Sequence, residues 1–237
     1  MALEKLDFMR YGRQMLVPEI GPEGQLKIKS SRVLVIGIGG LGCPVLQYLA
    51  AAGVGCLGAI DFDIIEMHNL HRQILYQEAQ IGQPKVQAAQ AALHQLNPHI
   101  NYEFKAVKLT PETALDLIQG YDLVIDGTDN FATRYLVNDT CVELEIPLIY
   151  GSILNFEGQF SVFCHAGSKN LRDIFPDPPQ PDSVPNCGQN GVLATLPGII
   201  GMLMAQEALK LLMGLPVLRN EMVLFNTLDW NWTKLRF

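Results

Sequence analysis

Short and long hydrophobic stretches alternate along the first 150 residues of the chain. The short ones, such as VLVI at 33–36 and LVI at 123–125, are rich in Val and Ile and are typical of buried parallel strands. The long ones have helical spacing; residues 84–96, for example, begin at a proline and stop before Asn97-Pro98. Alternating strands and helices predict right-handed βαβ units. We therefore expect a parallel sheet covered by helices.

The pattern changes in the remainder of the chain. Residues 146–152 predict one more strand, and GQFSVFCH at 158–165 alternates like an antiparallel strand, with Gly158 marking a turn before it. Residues 195–213 regain helical spacing, and 222–235 predict a closing hairpin. The expected fold class is α/β, a Rossmann-like nucleotide-binding fold whose mixed, mainly parallel sheet is continued by antiparallel strands.

The length permits either one α/β domain or two small ones, and a single domain over residues 1–237 is expected. Residues 1–31 are interpreted as an N-terminal helical arm. Residues 165–190 show no hydrophobic period and contain many prolines and glycines. Because long irregular loops are uncommon in compact domains unless they have a function, this segment is predicted to be a crossover loop at the active site.

Composition and charge narrow the classes of function. Hydrophobic residues make up 49% of the chain and charged residues 17%, the balance of a folded globular protein. The net charge of −7 and the lack of a basic stripe argue against nucleic acid as a partner. No stretch reaches the roughly 18 uncharged apolar residues that a membrane span needs, and the N-terminus lacks the order of a signal peptide. A cytoplasmic protein that does not bind membranes is expected.

A glycine-rich turn is the first candidate for chemistry. Gly37-x-Gly39-x-x-Gly42 directly follows the first strand and opens a helix, so that backbone amides and the helix dipole can hold a phosphate group. Taken alone, the turn favours NAD or FAD, with Asp61 at the end of the next strand on the ribose hydroxyls. A merely tight turn between strand and helix is the other alternative.

The polar residues that follow favour ATP over a dinucleotide. They are Asp61, Asp63, Asn69, Arg72, Gln73, Lys85, Asp129 and Asn130. A dinucleotide site has little use for this set, although any one of its cations alone would be a solvated surface charge. His68 and His71, three residues apart with no third ligand, are interpreted as packing residues and not as metal ligands.

Five segments, in the same order, closely resemble the ThiF/MoeB/HesA family of ubiquitin-activating-like adenylyltransferases. They are GIGGLGCP, DFDIIEMHNLHRQILY, IGQPK, DGTDNFATRYLVND and GQNGVLATLPGIIG, within a match from Arg10 to about Gly214. The resemblance implies ATP and Mg²⁺ as cofactors. It also implies adenylation of the C-terminal glycine of a ubiquitin-like sulfur-carrier protein, ThiS-like or MoaD-like, as in thiamine or molybdopterin synthesis. A homodimer and a sulfurtransferase partner are further implications.

The resemblance also implies roles for individual residues. Nucleotide binding would involve Gly37, Gly39, Gly40, Gly42, Asp61, Asp63, Asn69, Arg72, Gln73, Lys85, Asp129 and Asn130. Arg72 and Lys85 match cations that hold the triphosphate, and Arg13 matches an arginine supplied by the opposite subunit. Asp129 would carry Mg²⁺, or else would cap the following helix. Cys187 matches a cysteine that links covalently to the activated carrier, although a free cysteine is often only a small hydrophobic residue.

The chain departs from the family at the zinc cysteines. Many members carry two CxxC pairs, but residues 170–176 here read NLRDIFP, no second pair occurs, and the five cysteines are scattered. Reduced thiols and no structural zinc are expected. How the crossover loop is then held stays open.

Two rival functions remain open. An NAD-dependent oxidoreductase would use the same glycine turn and Asp61, but it leaves Arg72, Lys85 and Asp129 unexplained. A catalytically silent dimer partner of an activating enzyme would be expected to lose these phosphate-binding cations.

Overall fold

The computed structural model describes residues 2–179 and 191–237. Its helices, in chain order, are α1 (Lys5–Met15), α2 (Gly21–Ser30), α3 (Gly42–Ala52), α4 (Lys85–Leu96), α5 (Ala114–Ile118), α6 (Phe131–Glu143), α7 (Leu171–Ile174) and α8 (Thr195–Met213). Its strands are β1 (Arg32–Ile36), β2 (Cys56–Ile60), β3 (Asn101–Lys105), β4 (Leu123–Asp126), β5 (Leu148–Leu154), β6 (Glu157–Phe163), β7 (Glu221–Asn226) and β8 (Asn231–Arg236).

These strands form one sheet in the order β3-β2-β1-β4-β5-β6-β7-β8. The strands from β3 to β5 are parallel, and β5 to β8 continue the sheet as antiparallel neighbours. The predicted fold class is confirmed. The sheet grows in opposite directions from β1, through β2 on one side and β4 on the other, so that the connecting loops part at the carboxyl end of β1.

Alternate residues of each parallel strand face opposite layers of helices. In β1, Val33 and Val35 join one core cluster with residues of α3, α4 and α8. Leu34 and Ile36 join the other, with residues of α5, α6 and α7. Because both faces of the inner parallel strands β1, β2 and β4 are buried, nearly all of their positions are apolar. This requirement explains the unbroken hydrophobic runs in the sequence.

The longest described helix, α8, has the length of a membrane span and a mean hydropathy of 1.3, but Glu207 and Lys210 interrupt it, so it is not an uncharged stretch. Half of that stretch is buried inside the protein. The helix packs against α3 and against the backbone of β5 and β6. It also carries Glu207, whose carboxylate accepts the Leu218 N–H at 2.8 Å. These contacts identify α8 as a core helix of the fold.

Two predicted boundaries differ from the structure. Helix α5 begins at Ala114, not at Pro111, because Thr110 and Thr113 form a hydrogen-bonded turn before it. The prediction that Gly158 marks a turn is wrong, since the turn lies at Asn155 and Phe156 and Gly158 is inside β6.

Candidate active site

A cavity of about 280 Å³ opens at the carboxyl ends of β1, β2 and β4, the edge at which open α/β sheets bind ligands. We call it the strand-end cavity. The predicted site residues that line it are Gly37, Gly39, Gly40, Asp61, Asp63, Arg72, Gln73, Lys85, Asp129 and Asn130. Residues far apart in the sequence therefore meet at one edge of the sheet.

The glycine turn forms the floor of this cavity. Gly37 has a φ of +87°, and a Cβ atom there would lie 3.0 Å from the carbonyl oxygen of Gly127. At Gly42 a Cβ atom would lie 2.0 Å from the carbonyl oxygen of Gly37, so only glycine permits this approach of helix and strand. Helix α3 begins at Gly42, and the side chain of Leu41 before it makes no capping hydrogen bond. Within the first turn, the Cys43 N–H donates to the Gly39 carbonyl at 3.0 Å and Pro44 has no N–H, so the Gly42 N–H is the amide of this helix end that can meet an anion.

Asp61 is fixed by the backbone around it. One carboxylate oxygen accepts the Ile38 N–H at 2.7 Å and the other accepts the Asp63 N–H at 2.8 Å. Burial raises the pKa of Asp61, against the opposing effects of Lys85 and the two backbone amides. Since a carboxylate oxygen can accept more than one hydrogen bond, Asp61 keeps capacity for the hydroxyl groups of a ribose.

Two cations stand beside the glycine turn. Lys85 is only 5% exposed, and its ammonium nitrogen lies 2.9 Å from the Asp63 carboxylate. The Lys85 N–H also donates to the Asp63 carbonyl at 3.0 Å, which fixes the first turn of α4. Arg72 is half-buried and donates from Nη1 to the His68 carbonyl at 3.0 Å. An anionic ligand would find both cations already oriented.

Gln73 carries an unused hydrogen-bonding atom. Its side chain is buried beside Gly39, and its Oε1 has no hydrogen-bond partner among residues 2–179 and 191–237. Buried polar atoms are nearly always paired in folded proteins. An unpaired acceptor at a cavity wall fits a ligand with a donor group, such as a nucleoside.

The two aspartates at the end of β4 have different surroundings. Asp126 is 1% exposed, and one of its oxygens accepts the Thr128 N–H at 2.9 Å and the Thr128 hydroxyl at 2.6 Å. Burial raises the pKa of Asp126. Asp129 is exposed and lines the cavity. The alternative that Asp129 caps the next helix is wrong, because Asn130 caps α6 by accepting the Thr133 N–H at 2.9 Å.

These residues fit a magnesium ion that arrives with a nucleotide. Mg²⁺ in such sites is held by one or two carboxylates together with phosphate oxygens and water. Asp129 offers a solvent-facing carboxylate at the cavity, while Asp126 does not line the cavity and has one oxygen occupied by Thr128. Within residues 2–179 and 191–237, no three His, Cys, Asp or Glu side chains form a metal-binding group. The donor set therefore suits a shared ion and not a preformed protein cage.

Four of the predicted site residues are not among the residues that line the strand-end cavity, and one of these four lies outside the described residues. Gly42 packs against Gly37, and Asn69 is buried with its side-chain oxygen accepting the Glu66 N–H at 3.2 Å. Arg13 is exposed on the last turn of α1 and does not line the strand-end cavity. Cys187 lies outside the described residues. Ligand roles for these residues stay predictions.

Sequence reasoning missed two cations of the cavity. Lys108 lines it, with its ammonium nitrogen 5.7 Å from the centre of the Phe62 ring. Its position three residues after β3, at the same edge of the sheet, is a signal that could have identified it. Arg134 also lines the cavity but is only 5% exposed. It lies within one of the family segments, yet nothing in the sequence separates it from a surface arginine.

The start of the crossover segment is held by an ion pair and hydrogen bonds. Arg172 contacts both carboxylate oxygens of Asp139 at 2.7 Å and lies over the ring of Tyr135 at 4.8 Å. The Tyr135 hydroxyl donates to the carbonyls of Phe175 and Asp177, each at 2.9 Å. These contacts attach residues 170–176, the segment in which many family members have the first CxxC pair, to helix α6. They answer how the described beginning of the loop is anchored.

Comparisons with known proteins agree with this geometry. Residues 11–237 match the ThiF family. The sulfur carrier protein adenylyltransferase of Thermus thermophilus is 48% identical over 238 residues, which cover 98% of this chain and 87% of that protein. The adenylyltransferase and sulfurtransferase MOCS3 of Anopheles gambiae is 50% identical over 218 residues, or 92% of this chain. The chain spans 48% of the length of that relative.

Solved structures share the fold at lower identity. The crystal structure of E. coli MccB superposes with a TM-score of 0.84 at 22% identity, covering 96% of this chain and 69% of that one. At this identity the likeness concerns the fold alone. The same arrangement of eight strands and covering helices thus recurs in a distant protein.

Proposed function

Because the chain belongs to the ThiF family, we propose that it uses ATP to adenylate the C-terminal carboxylate of a sulfur-carrier protein. The observation that carries the proposal is the meeting of the glycine turn, Arg72, Lys85 and Asp129 in one cavity. The name of the Thermus thermophilus relative supports the class of substrate. Neither rival function accounts for both the cations and the carboxylate.

In the proposed reaction, a carboxylate oxygen of the carrier attacks the α-phosphorus of ATP. The bond from that phosphorus to the bridging oxygen breaks, and pyrophosphate leaves with the electron pair, giving an acyl-adenylate. No general base is needed, because the nucleophile is already ionised. The obstacle is charge, since two like charges 4 Å apart repel by about 4 kcal/mol at an effective dielectric constant of about 20. Fixed cations must offset that repulsion.

Arg72, Lys85 and Lys108 are suited to this task. Lys85 is fixed by Asp63, and the planar guanidinium of Arg72 can contact two phosphate oxygens at once. When Mg²⁺ is bound at Asp129, it neutralises part of the phosphate charge. Holding the carboxylate in line with the α-phosphorus supplies about 7 to 11 kcal/mol through orientation alone. Binding and orientation therefore account for most of the proposed catalysis.

The proposed carrier is ubiquitin-like, of the ThiS or MoaD kind, and its extended tail needs a path to the α-phosphate. A second cavity, which we call the hairpin cavity, lies on β5 to β8 and has a volume of about 350 Å³. Ile153 lines both the hairpin cavity and the strand-end cavity. This shared wall supports a tail that passes from one cavity into the other.

A later sulfur-transfer step would use Cys187 and a sulfurtransferase partner. The chain re-enters the described part at Gly191, and Val192 lines the strand-end cavity. Leu193 donates its N–H to the Asn155 carbonyl at 3.3 Å, which fixes this end of the crossover segment beside the site. A single domain over residues 1–237, a homodimer in which Arg13 reaches the partner's cavity, and a cytoplasmic location complete the proposal.

The test is carrier-dependent exchange of labelled pyrophosphate into ATP, measured against a panel of ubiquitin-like proteins. We expect exchange with one carrier, and none with the same carrier lacking its terminal glycine. Binding of NAD without binding of ATP would favour the oxidoreductase. Nucleotide binding without exchange for any carrier, in the presence of Mg²⁺, would favour the silent partner.

A further inference from the structure

A buried polar cluster lies directly beneath the strand-end cavity. It consists of Asp126 at the end of β4, Arg134 on α6, Tyr150 on β5 and Gln159 on β6. We call it the sub-cavity cluster. Burying a charged arginine costs free energy unless its hydrogen bonds are made. The groups that Arg134 contacts therefore indicate what this residue does in the fold.

The guanidinium of Arg134 is directed at protein groups. Its Nη2 donates to the Thr128 carbonyl at 2.8 Å, and its Nη1 donates to the Tyr150 hydroxyl at 3.2 Å. Its Nε lies 4.0 Å from the Asp126 carboxylate. The Tyr150 hydroxyl also accepts Gln159 Nε2 at 3.0 Å. These hydrogen bonds orient the guanidinium towards β5 and the β4–α6 turn, where it supports the wall of the site.

Two members of this cluster, Asp126 and Arg134, contact the same residue of the β4–α6 turn. The N–H and the hydroxyl of Thr128 donate to Asp126, and the Thr128 carbonyl accepts from Arg134. Thr128 is thus held from both sides. The next residue is Asp129, whose carboxylate faces the cavity. The direction of that carboxylate depends on how firmly Thr128 is fixed.

We propose that Arg134 is a positioning residue for the metal-binding carboxylate, acting through Thr128 on Asp129. This inference rests on the proposed function for the binding of Mg²⁺ at Asp129, but it assigns a role to Arg134, which the proposed function does not use. A lysine keeps the charge, but its single ammonium group cannot bridge Thr128, Tyr150 and Asp126 as the planar guanidinium does. If the β4–α6 turn is loosened, the Asp129 carboxylate is still present but is no longer held in the position that binds the metal.

The test compares Arg134→Lys with the unsubstituted protein in two measurements. In carrier-dependent exchange, the Mg²⁺ concentration for half-maximal rate should rise about 10- to 100-fold, the usual effect of losing a group that orients a metal ligand. Calorimetry then measures the binding of a non-hydrolysable ATP analogue. In the presence of Mg²⁺, the variant should bind the analogue more weakly than the unsubstituted protein does, whereas in the presence of a chelator the two affinities should agree within about twofold. An equal loss with and without Mg²⁺ would assign Arg134 a purely structural role and overturn the proposal.

Arg32→Lys is the matched control. Arg32 makes the same kinds of contact, with the Gly120 carbonyl at 3.0 Å, the Glu103 carboxylate at 2.8 Å and the Tyr121 ring at 5.1 Å. It lies at the start of β1, away from the cavity. Its Mg²⁺ dependence should be unchanged; a shift as large as that of Arg134→Lys would overturn the specific role.

Tyr150→Phe tests the same cluster if Arg134→Lys does not fold. It removes only the hydroxyl that holds Arg134, so the Mg²⁺ requirement should rise about 2- to 10-fold, as for one lost hydrogen bond. An unchanged requirement in a folded Arg134→Lys, or in Tyr150→Phe where Arg134→Lys does not fold, would overturn the proposal. The calorimetric measurement needs no carrier, so the positioning role can fail or hold independently of whether any carrier supports exchange.

Discussion

At the scale of single residues, what an acidic side chain can do depends on which of its atoms are already bonded. One oxygen of Asp126 accepts two hydrogen bonds from Thr128, and the residue is buried. Asp129, three positions along, is exposed and faces the cavity. The first aspartate belongs to the structure of the turn, while the second is available to a metal ion.

Asp129→Ala is therefore expected to separate activity from stability. Carrier-dependent pyrophosphate exchange should fall about 100-fold or more, because a principal charge contact of the transition state is lost. The free energy of unfolding should change by less than about 0.5 kcal/mol, as for other exposed sites. Exchange assays and urea unfolding on one preparation measure both quantities.

Asp116→Ala provides the control for that experiment. Asp116 is also an exposed aspartate, but it lies on α5 away from the strand-end cavity. It should change neither quantity. Exchange near the unsubstituted rate in Asp129→Ala would show that Asp129 does not hold the metal.

The residues of the site were predictable to different degrees. Gly37, Asp61 and Lys85 follow strands or open helices, so their place at the strand ends could be inferred from the alternation of elements. The bonding of Arg134 could not, because it depends on which groups of β5 and of the β4–α6 turn meet this residue in the fold. Lys108 could have been inferred from its place three residues after β3, at the same edge of the sheet, but that signal was overlooked.

At the scale of elements, the packing of α8 depends on two glycines of the sheet. A Cβ atom at Gly158 would lie 2.3 Å from Ile200 Cγ1, and one at Gly151 would lie 2.3 Å from Met204 Sδ. The helix therefore rests on bare backbone of β5 and β6. Gly158, predicted to mark a turn, is in fact required for this close approach.

Gly158→Ala should destabilise the protein by about 1 to 3 kcal/mol, the usual cost of an overpacked core. Ile200 is β-branched and has few rotamers into which it can move. Urea unfolding measures the loss, and adding Ile200→Ala, which removes both Cγ1 and Cδ1, should recover part of it. Gly151→Ala is the comparison, where the flexible Met204 can yield and the loss should be smaller. Equal losses at both sites would contradict this account.

Helix α1 is tied to α2 by one ion pair. A single oxygen of Asp7 accepts the Glu4 N–H at 2.7 Å and lies 2.6 Å from the Lys29 ammonium. Burial acts to raise the pKa of Asp7, but the hydrogen bonds and the charge of Lys29 outweigh it and hold that pKa below its ordinary 3.8. A lowered pKa in the folded state means that the ionised form stabilises the protein.

Asp7→Asn should therefore lower stability in a pH-dependent way. At neutral pH the loss should be about 0.5 to 1 kcal/mol, allowing for screening by solvent. As the pH falls below 3.8 and through the lowered native pKa, the carboxyl becomes protonated in both states, and the difference should vanish. Urea unfolding from pH 7 downward measures it. A stability loss in Asp7→Asn that stays constant with pH would show that the ion pair is not its cause. Lys29→Met removes the other partner, and the absence of a similar pH-dependent loss in that variant would lead to the same conclusion.

Much of the order of elements was predictable because local patterns determine it. Buried parallel strands need apolar residues on both faces, and α8 has unbroken helical spacing over all of Thr195–Met213. The order of strands in the sheet and the start of α5 were less accessible. The strand order depends on contacts between distant segments. The start of α5 depends on the hydrogen bond from the Thr110 N–H to the Thr113 hydroxyl, which the hydrophobic pattern does not reveal.

At the scale of the whole molecule, the strand-end cavity lacks one cation that the family resemblance implies. Arg13 is exposed on α1, and it is absent from the cavity lining of its own chain. Arg72 lines the cavity directly. In the proposed homodimer, each complete site would combine Arg72 of one chain with Arg13 of the other.

This arrangement predicts recovery of activity in mixed dimers. Arg13→Ala and Arg72→Ala should each lose most exchange activity alone. When equal amounts are unfolded together and refolded, half of the dimers should be hybrids, and each hybrid should hold one site with both arginines. About a quarter of the unsubstituted activity should therefore return, as follows from random pairing in a two-fold dimer. If both arginines act within one chain, no subunit of any mixture carries both, and exchange should stay at the level of the separate variants. Mixing Arg72→Ala with Lys85→Ala, two residues of the same cavity, gives the matched control in which no recovery is expected.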